Sequence, residues 1–249
     1  MITDPFFYAF AIPAVILLGL SKGGFAGAGT ASTPLLALYI PPLEAAALIL
    51  PVLMTQDAIS VWWYRRDWDG WNLKVMLPGA FAGMGLAWAL AAQITENDVR
   101  LIVGAIGVAF CMQAYFRRAL TDPVRKTAAS GLFWGAMSGF TSFMSQAGGP
   151  PFQVHVLPQR LEKLKLVGTT TLFFAVVNAL KIGPYFALGQ FSTQNFATSL
   201  VLLPVAVIAN FCGIWLVART PTGIFYRIAY VLVFLISLAL LARGLRTLV

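Results

Sequence analysis

Six stretches of the sequence run almost without charged side chains for about 20 residues, the length that an α-helix needs to cross a bilayer. They cover residues 43–64, 73–93, 99–117, 164–186, 196–218 and 223–245. Over the whole chain of 249 residues, 59% are hydrophobic and only 10% are charged, and the mean hydropathy is +0.80. Soluble domains carry about 25% charged residues, so the composition excludes a water-soluble protein. The sequence predicts an all-α polytopic membrane protein.

The basic residues are consistent with this class. The formal net charge of +8 comes from Lys and Arg residues in short clusters at the ends of the apolar stretches. Cytoplasmic loops of membrane proteins carry such clusters, which set the orientation of the chain and meet anionic lipid. The sequence therefore predicts the lipid bilayer as a partner and no nucleic acid.

Two further apolar regions, residues 6–39 and 130–157, are interrupted near their middle by glycine and polar residues. Shifting the chain by 116 positions places Gly19 on Gly135, Gly23 on Gly139 and Pro34 on Pro150. Further weak matches follow in the same order downstream, which is typical of an internal duplication. The sequence predicts a single transmembrane domain over residues 1–249 with two homologous halves, approximately 5–118 and 127–246. Each half consists of a glycine-broken re-entrant or discontinuous helix and three transmembrane helices.

The relative orientation of the halves depends on the broken segments. If each broken segment crosses the membrane, the halves are parallel and the loop and terminal Lys and Arg residues divide ten to six. If each returns to the side that it entered from, the halves are inverted and the division is twelve to four. The four are Arg100, Lys181, Arg243 and Arg246, and the twelve are Arg65, Arg66, Lys74, Arg117, Arg118, Arg125, Lys126, Arg160, Lys163, Lys165, Arg219 and Arg227. The positive-inside rule favours inverted repeats.

The broken segments also indicate a binding site. Ser32-Thr33-Pro34 and Gly148-Gly149-Pro150 are typical helix starts, and the first predicts a short helix from Pro34. A helix N-terminus buried in a membrane carries partial positive charge and unpaired N–H groups, which suit an anion. We therefore expect a small anion where the two broken helices meet. The candidate binding residues are Lys22, Gly23, Gly24, Gly29, Thr30, Ser32, Thr33, Ser142, Ser145, Gln146, Gly148 and Gly149.

Two other interpretations of these residues stay open. The glycines are also explained if they only allow helices to pack closely. The ammonium group of Lys22 is also explained if it extends to the interface or neutralises a lipid phosphate.

A second group of polar residues consists of candidates for coupling or gating: Gln56, Asp57, Asn178, Lys181 and His155. Asp57 is an acidic residue inside an uninterrupted span, where a charge costs about 2.5–3.5 kcal/mol. It is interpreted as a proton-coupling carboxylate, as a counter-ion for Lys22, or as a structural partner of Arg65 or Arg66.

The other candidates have simpler interpretations as well. Lys181 shares a helix face with Asn178, since they are three residues apart, and is expected to extend to the membrane interface. His155, the only histidine, is expected to be interfacial, with a gate or proton relay as the alternative. Asn210 is expected to bridge helices.

The glycine-rich break followed by Pro34-Leu35-Leu36, repeated as Gly148-Gly149-Pro150 in a membrane chain of this length, resembles the sulfite exporter TauE/SafE family. The resemblance covers nearly the whole chain. It implies transport of sulfite, organosulfonates and related sulfur-containing anions across the bacterial inner membrane. One departure is Ser21-Lys22 before Gly23-Gly24, where many members have more glycine.

Together these observations predict a secondary transporter that works by alternating access around a midplane anion site, with the proton as the candidate coupling ion. A P-loop motif is absent from the sequence, and so are the H-E-x-x-H and G-x-S-x-G motifs of hydrolases. We expect no enzymatic activity, no cofactor and no metal. An anion channel and an accessory membrane subunit remain as alternatives.

Overall fold

The computed structural model describes residues 2, 4–25, 29, 32–36, 39–40, 42–90, 93, 95–116, 127–187 and 193–246. Its regular structure in these residues is entirely helical. The helices are α1 (Pro5–Gly23), α2 (Ser32–Leu36), α3 (Pro42–Trp63), α4 (Gly70–Leu90), α5 (Glu96–Phe116), α6 (Ala128–Ser145), α7 (Gly149–Val156), α8 (Lys163–Ala187), α9 (Thr193–Arg219) and α10 (Thr222–Arg246). A 3₁₀ turn, Leu157–Gln159, follows α7.

Each of the six predicted spans is a single helix, α3 to α5 and α8 to α10, whose ends lie within a few residues of the prediction. In the described residues, five helices are long and apolar enough to cross a membrane, and α3 contains a shorter apolar stretch, Leu48–Trp63. The chain is therefore an all-α, multi-pass membrane protein. Both interrupted regions form two helices, α1 with α2 and α6 with α7.

The chain forms two compact units. Unit 1 contains Met1–Arg66 and Thr170–Pro221, and unit 2 contains Asp67–Thr169 and Thr222–Val249. Each unit combines helices from both predicted halves, because the interrupted helix of one half packs on a helix from the other. The duplication itself stays a prediction from the sequence.

Helices α1, α3 and α9 of unit 1 run in the same direction. A Cβ atom added at Gly19 would lie 2.5 Å from the Ala209 side chain, and one at Gly23 would lie 2.5 Å from Gly213 Cα. The Ser199 hydroxyl of α9 donates to the Leu48 carbonyl of α3, and further along both helices the Gln56 side chain of α3 donates to the Ala206 carbonyl of α9. Helices α3 and α9 are therefore parallel. The absence of side chains at the two α1 glycines is what lets α1 lie directly against α9.

Unit 2 has an equivalent close contact between α4 and α6. Added Cβ atoms at Gly79 and Gly83 would lie 2.3 and 2.0 Å from α6 carbonyl oxygens, and those at Gly135 and Gly139 would each lie 2.3 Å from an α4 carbonyl oxygen. The glycines that match in sequence, Gly19 with Gly135 and Gly23 with Gly139, are therefore all packing positions.

Helices α5 and α10, the last helices of the two predicted halves, run antiparallel within unit 2. Gly104 faces Leu241, and further along α5 Cys111 contacts the Tyr230 carbonyl, which comes earlier in α10. Equivalent helices run in opposite directions when repeats are inverted and in the same direction when they are parallel. This arrangement supports the inverted topology.

Each interrupted region ends near the point where it began. Tyr39 lies after α2, yet its hydroxyl group donates to the Asp4 carboxylate at the start of α1, and its ring is 5.9 Å from that of Phe7. In unit 2, α7 runs back along α6, so that His155 Nδ1 lies 3.0 Å from Ser130 Oγ. A segment that returns to its own side is what the inverted topology requires.

Candidate functional site

Helix α1 ends inside unit 1, and its last carbonyl groups need partners there. Gly24 has a φ of 139°, a region that only glycine adopts readily, and its N–H group bonds back to Leu20 and Ser21. The Ser60 hydroxyl of α3 donates to the Lys22 carbonyl at 3.0 Å, and the hydroxyl of Tyr64, which directly follows α3, donates to the Gly23 carbonyl at 2.7 Å. The break is therefore held in a fixed geometry.

Lys22, in the last turn of α1, forms an ion pair inside unit 1. Its Nζ atom lies 2.6 Å from Asp57 Oδ1 of α3, and the Asp57 side chain is only 3% exposed. The other carboxylate oxygen, Oδ2, accepts a hydrogen bond of 2.8 Å from Asn178 Nδ2 of α8. The side-chain oxygen of Asn178, Oδ1, in turn accepts a hydrogen bond from Lys181 Nζ at 3.4 Å. We name these four residues, Lys22, Asp57, Asn178 and Lys181, the charge cluster.

The charge cluster shows which basic residue pairs with Asp57. The carboxylate contacts Lys22, whereas the exposed Arg65 guanidinium lies 4.5 Å from the centre of the Trp62 ring. Asp57 is thus the counter-ion of Lys22, and the alternative pairing with Arg65 or Arg66 was wrong.

The expectation that Lys181 extends to the membrane interface was also wrong. Its side chain is 0% exposed and is directed towards Asn178 in the protein interior. The physical reason is the polar partner on the same helix face: the Asn178 side-chain oxygen accepts a hydrogen bond from the ammonium group in the protein interior. The shared face of Asn178 and Lys181 was predicted correctly.

Gln56 points away from the charge cluster. Its side-chain amide donates to the Ala206 carbonyl of α9 at 3.1 Å. Asn210 of α9 donates to the Gln56 carbonyl at 3.0 Å and accepts from Ser60, so it bridges helices as expected. The roles of Ser60 and Tyr64 were not predicted from the sequence, because a hydroxyl residue near a helix end does not indicate which distant carbonyl group it contacts.

The remaining candidates of unit 1 lie around the start of α2. The helix begins at Ser32, two residues earlier than predicted, and the Ser32 hydroxyl donates to the Gly29 carbonyl. Gly23 is buried against α9, so close packing accounts for this glycine. Thr30 lies outside the described residues, and so does the side chain of Thr33.

The break in unit 2 is held by hydroxyl groups of α6. Gln146 ends this helix with a φ of 56°, and α7 begins within the predicted Gly148-Gly149-Pro150 stretch, with Gly148 as its N-cap. Ser138 donates to the Gly148 carbonyl at 2.8 Å, and Thr141 donates to the Ala147 carbonyl at 3.2 Å. Neither hydroxyl contact was predicted from the amino-acid sequence.

The start of α7 is not closely packed at Gly149. No described atom lies within 4 Å of a Cβ added at Gly149. Because Pro150 and Pro151 have no N–H group, the donors of this helix start are the N–H groups of Gly148 and Gly149. Ser142 is buried, and the side chain of Ser145 lies outside the described residues.

His155 is buried, with 7% of its surface exposed. The return of α7 along α6 explains this position, since it brings the imidazole to the Ser130 hydroxyl. The His155 carbonyl also accepts from Gln159, whose side-chain amide pairs with that of Asn72 on α4 at 2.8 and 3.1 Å. These contacts connect the end of α7 to α4.

Comparisons with known proteins identify the chain at the level of its family. Residues 11–240 match the family described as sulfite exporter TauE/SafE. Neither a search of curated proteins nor a search of solved structures gave a match. The match extends from α1 to α10 and includes both interrupted helices and the charge cluster. The chain therefore belongs to the sulfite exporter TauE/SafE family, whose members are membrane transporters.

Proposed function

We propose that this protein is a secondary transporter that exports small sulfur-containing anions, such as sulfite or organosulfonates, across the bacterial inner membrane. The observation that carries the proposal is the pair of interrupted helices, one in each unit, in a chain of this family. Helical breaks in a membrane are tolerated where the backbone is buried in protein or lines a cavity. Their recurrence in both units favours a functional role over a local defect.

The donors at the interruptions suit an anion. In unit 2 they are the N–H groups of Gly148 and Gly149, beside open space. In unit 1 the Lys22 ammonium lies at the end of α1. An anion that leaves water needs preorganised donors, because each buried polar group without a partner costs about 1–3 kcal/mol. We propose that each interruption supplies anion donors within its own unit, together with the other candidate residues at that break.

Alternating access would follow from two repeats that rock or gate around the bound anion. The antiparallel α5 and α10 and the returning broken segments support inverted repeats. For coupling, we propose the proton, with Asp57 as its carrier, because it is a buried carboxylate that pairs with Lys22 and is linked to Lys181 through Asn178.

A binding screen on purified protein tests the proposal. Sulfite, sulfate, thiosulfate, sulfoacetate and taurine are compared by calorimetry, and we expect sulfite or an organosulfonate to bind most tightly. Gly149→Leu fills the space at the start of α7 and is expected to abolish binding, because the new side chain covers the donors.

The matched control is Gly85→Leu. Gly85 lies in α4 of the same unit, and its added Cβ also meets no described atom within 4 Å, so both variants are expected to fold. Binding of sulfur-containing anions by Gly149→Leu as tight as by Gly85→Leu would refute the role of the α7 start. Failure of the wild-type protein to bind any of the five compounds would refute the substrate class.

A further inference from the structure

We propose that Asp57 acts as a built-in substitute for the transported anion: it holds Lys22 in an ion pair, and the substrate binds to Lys22 and Lys181 only after Asp57 has taken up a proton. This inference rests on the proposed transport function and makes it more specific. It assigns Lys181 as a substrate-binding residue and places anion and proton at one site.

The first argument is the geometry of the charge cluster. Each Asp57 oxygen has its own neighbour: Oδ1 forms the ion pair with Lys22 Nζ at 2.6 Å, and Oδ2 accepts from Asn178 Nδ2 at 2.8 Å. A sulfonate or sulfite group presents oxygens of the same kind, and it is bound by the same donors. The carboxylate therefore occupies the position that a small oxyanion needs.

The second argument is the charge balance. Two lysines and one aspartate give the charge cluster a formal charge of +1 inside an apolar helical unit, where charges are rare and usually functional. Protonation of Asp57 removes the negative charge that attracts Lys22 and raises the formal charge of the charge cluster to +2. A transported anion then restores the balance, so that a proton and an anion bind together.

The groups that face Asp57 come from each neighbouring helix. Helix α1 contributes Lys22, and α8 contributes Asn178 and Lys181. Helix α9 contributes the neutral Asn210, which contacts α3 at Ser60 and Gln56. Within α3 the acidic Glu44 is more than three turns away, and the next ionisable side chains along the chain, Tyr64 and Arg65, follow the end of the helix. The two lysines are therefore the cations that respond to the charge of Asp57.

Asn178 positions the groups on either side of it. Its amide nitrogen faces the Asp57 carboxylate and its oxygen faces the Lys181 ammonium. It thus separates the carboxylate from the second lysine by one side chain. Loss of the charge on Asp57 weakens the hydrogen bond that fixes this amide, and so frees Lys181 to approach an anion.

The test is calorimetric binding of methanesulfonate to the purified full-length protein between pH 5.5 and pH 8.5. This probe has three oxygens on sulfur and stays a monoanion over the whole range. If binding requires one proton on Asp57, the affinity of the wild-type protein falls as pH rises, by up to about tenfold for each pH unit. In Asp57→Asn, which is neutral at every pH, we expect tight binding without this dependence.

The two lysines supply the second arm. Lys181→Met is expected to lose at least tenfold in affinity, whereas the matched variant Lys165→Met, an exposed lysine of the same helix, keeps the wild-type value. Because Asp57→Asn leaves Lys22 without its counter-ion, its folding is followed by thermal unfolding. Added methanesulfonate should raise its Tm more than that of the wild-type protein, since the anion replaces the lost charge.

Several results would overturn the proposal. They are wild-type binding that does not change with pH, weaker binding by Asp57→Asn than by wild type at pH 8.5, or equal binding by Lys181→Met and Lys165→Met. Each of these leaves sulfite transport by the wild-type protein unaffected. Absence of sulfite flux in proteoliposomes would instead refute the proposed function, so the two failures are distinguishable.

Discussion

Removal of the Lys22 charge should destabilise unit 1 through Asp57. At a separation of 2.6 Å and an effective dielectric constant of about 20, the gross attraction between the two charges is about 6 kcal/mol. Desolvation of both groups offsets much of this energy. Breaking a buried pair by removing one partner nevertheless costs about 3–5 kcal/mol, because the other charge stays buried without compensation. Because 11% of the Lys22 side chain is exposed to solvent, we expect Lys22→Met to lower the free energy of unfolding by about 3 kcal/mol, the lower end of this range.

A double-mutant cycle measures the interaction itself. Lys22→Met, Asp57→Asn and the double variant are unfolded by SDS titration in mixed micelles, and the loss of helicity is followed by circular dichroism. Because the double variant leaves neither charge alone, it should be more stable than the sum of the single effects predicts, by about 2 kcal/mol.

The control is Arg65→Met, which removes an exposed cation near the same end of α3 and should change stability by less than about 0.5 kcal/mol. Additive effects of Lys22→Met and Asp57→Asn would refute the reasoning, because they would mean that the two charges do not interact in the folded protein.

Three further predictions concern topology, packing and coupling. Cysteines placed at Thr121 and at the exposed Arg160 should be labelled from the same, cytoplasmic side; labelling from opposite sides would contradict inverted repeats. Gly23→Ala should destabilise the protein by about 1–3 kcal/mol in the same SDS titration, because its Cβ meets the α9 backbone, whereas Gly85→Ala should not, and equal stability of the two variants would refute the packing role. Asp57→Asn should abolish pH-driven transport in proteoliposomes yet keep anion exchange, and normal pH dependence in this variant would exclude proton coupling through Asp57.

The helices were predictable because their signal is local. Apolar runs of spanning length gave α3 to α5 and α8 to α10 within a few residues, and glycine clusters gave both interruptions. A spanning helix can be predicted from its own apolar residues without knowing which helices surround it, since both lipid and protein accept apolar side chains. The first residue of α2 was misplaced by two positions, which is the usual uncertainty of a helix end.

The contacts between helices were less predictable. Lys22 and Asp57 are far apart in the sequence, so their pairing was one option among three. Lys181 was assigned to the interface because its spacing shows only that it shares a face with Asn178, and not that this face is buried. Nor does a duplication reveal which helices pack together, and the two compact units mix the halves.

The most direct test of the central claim is sulfite counterflow in proteoliposomes. Vesicles that contain the purified protein are loaded with unlabelled sulfite and diluted into a trace of labelled sulfite. A transporter that alternates access is expected to accumulate the label transiently above its external concentration. Gly149→Leu should show none of this accumulation and Gly85→Leu the full effect. Entry of label that only equilibrates, or that does not saturate with sulfite, would indicate a channel and contradict the account.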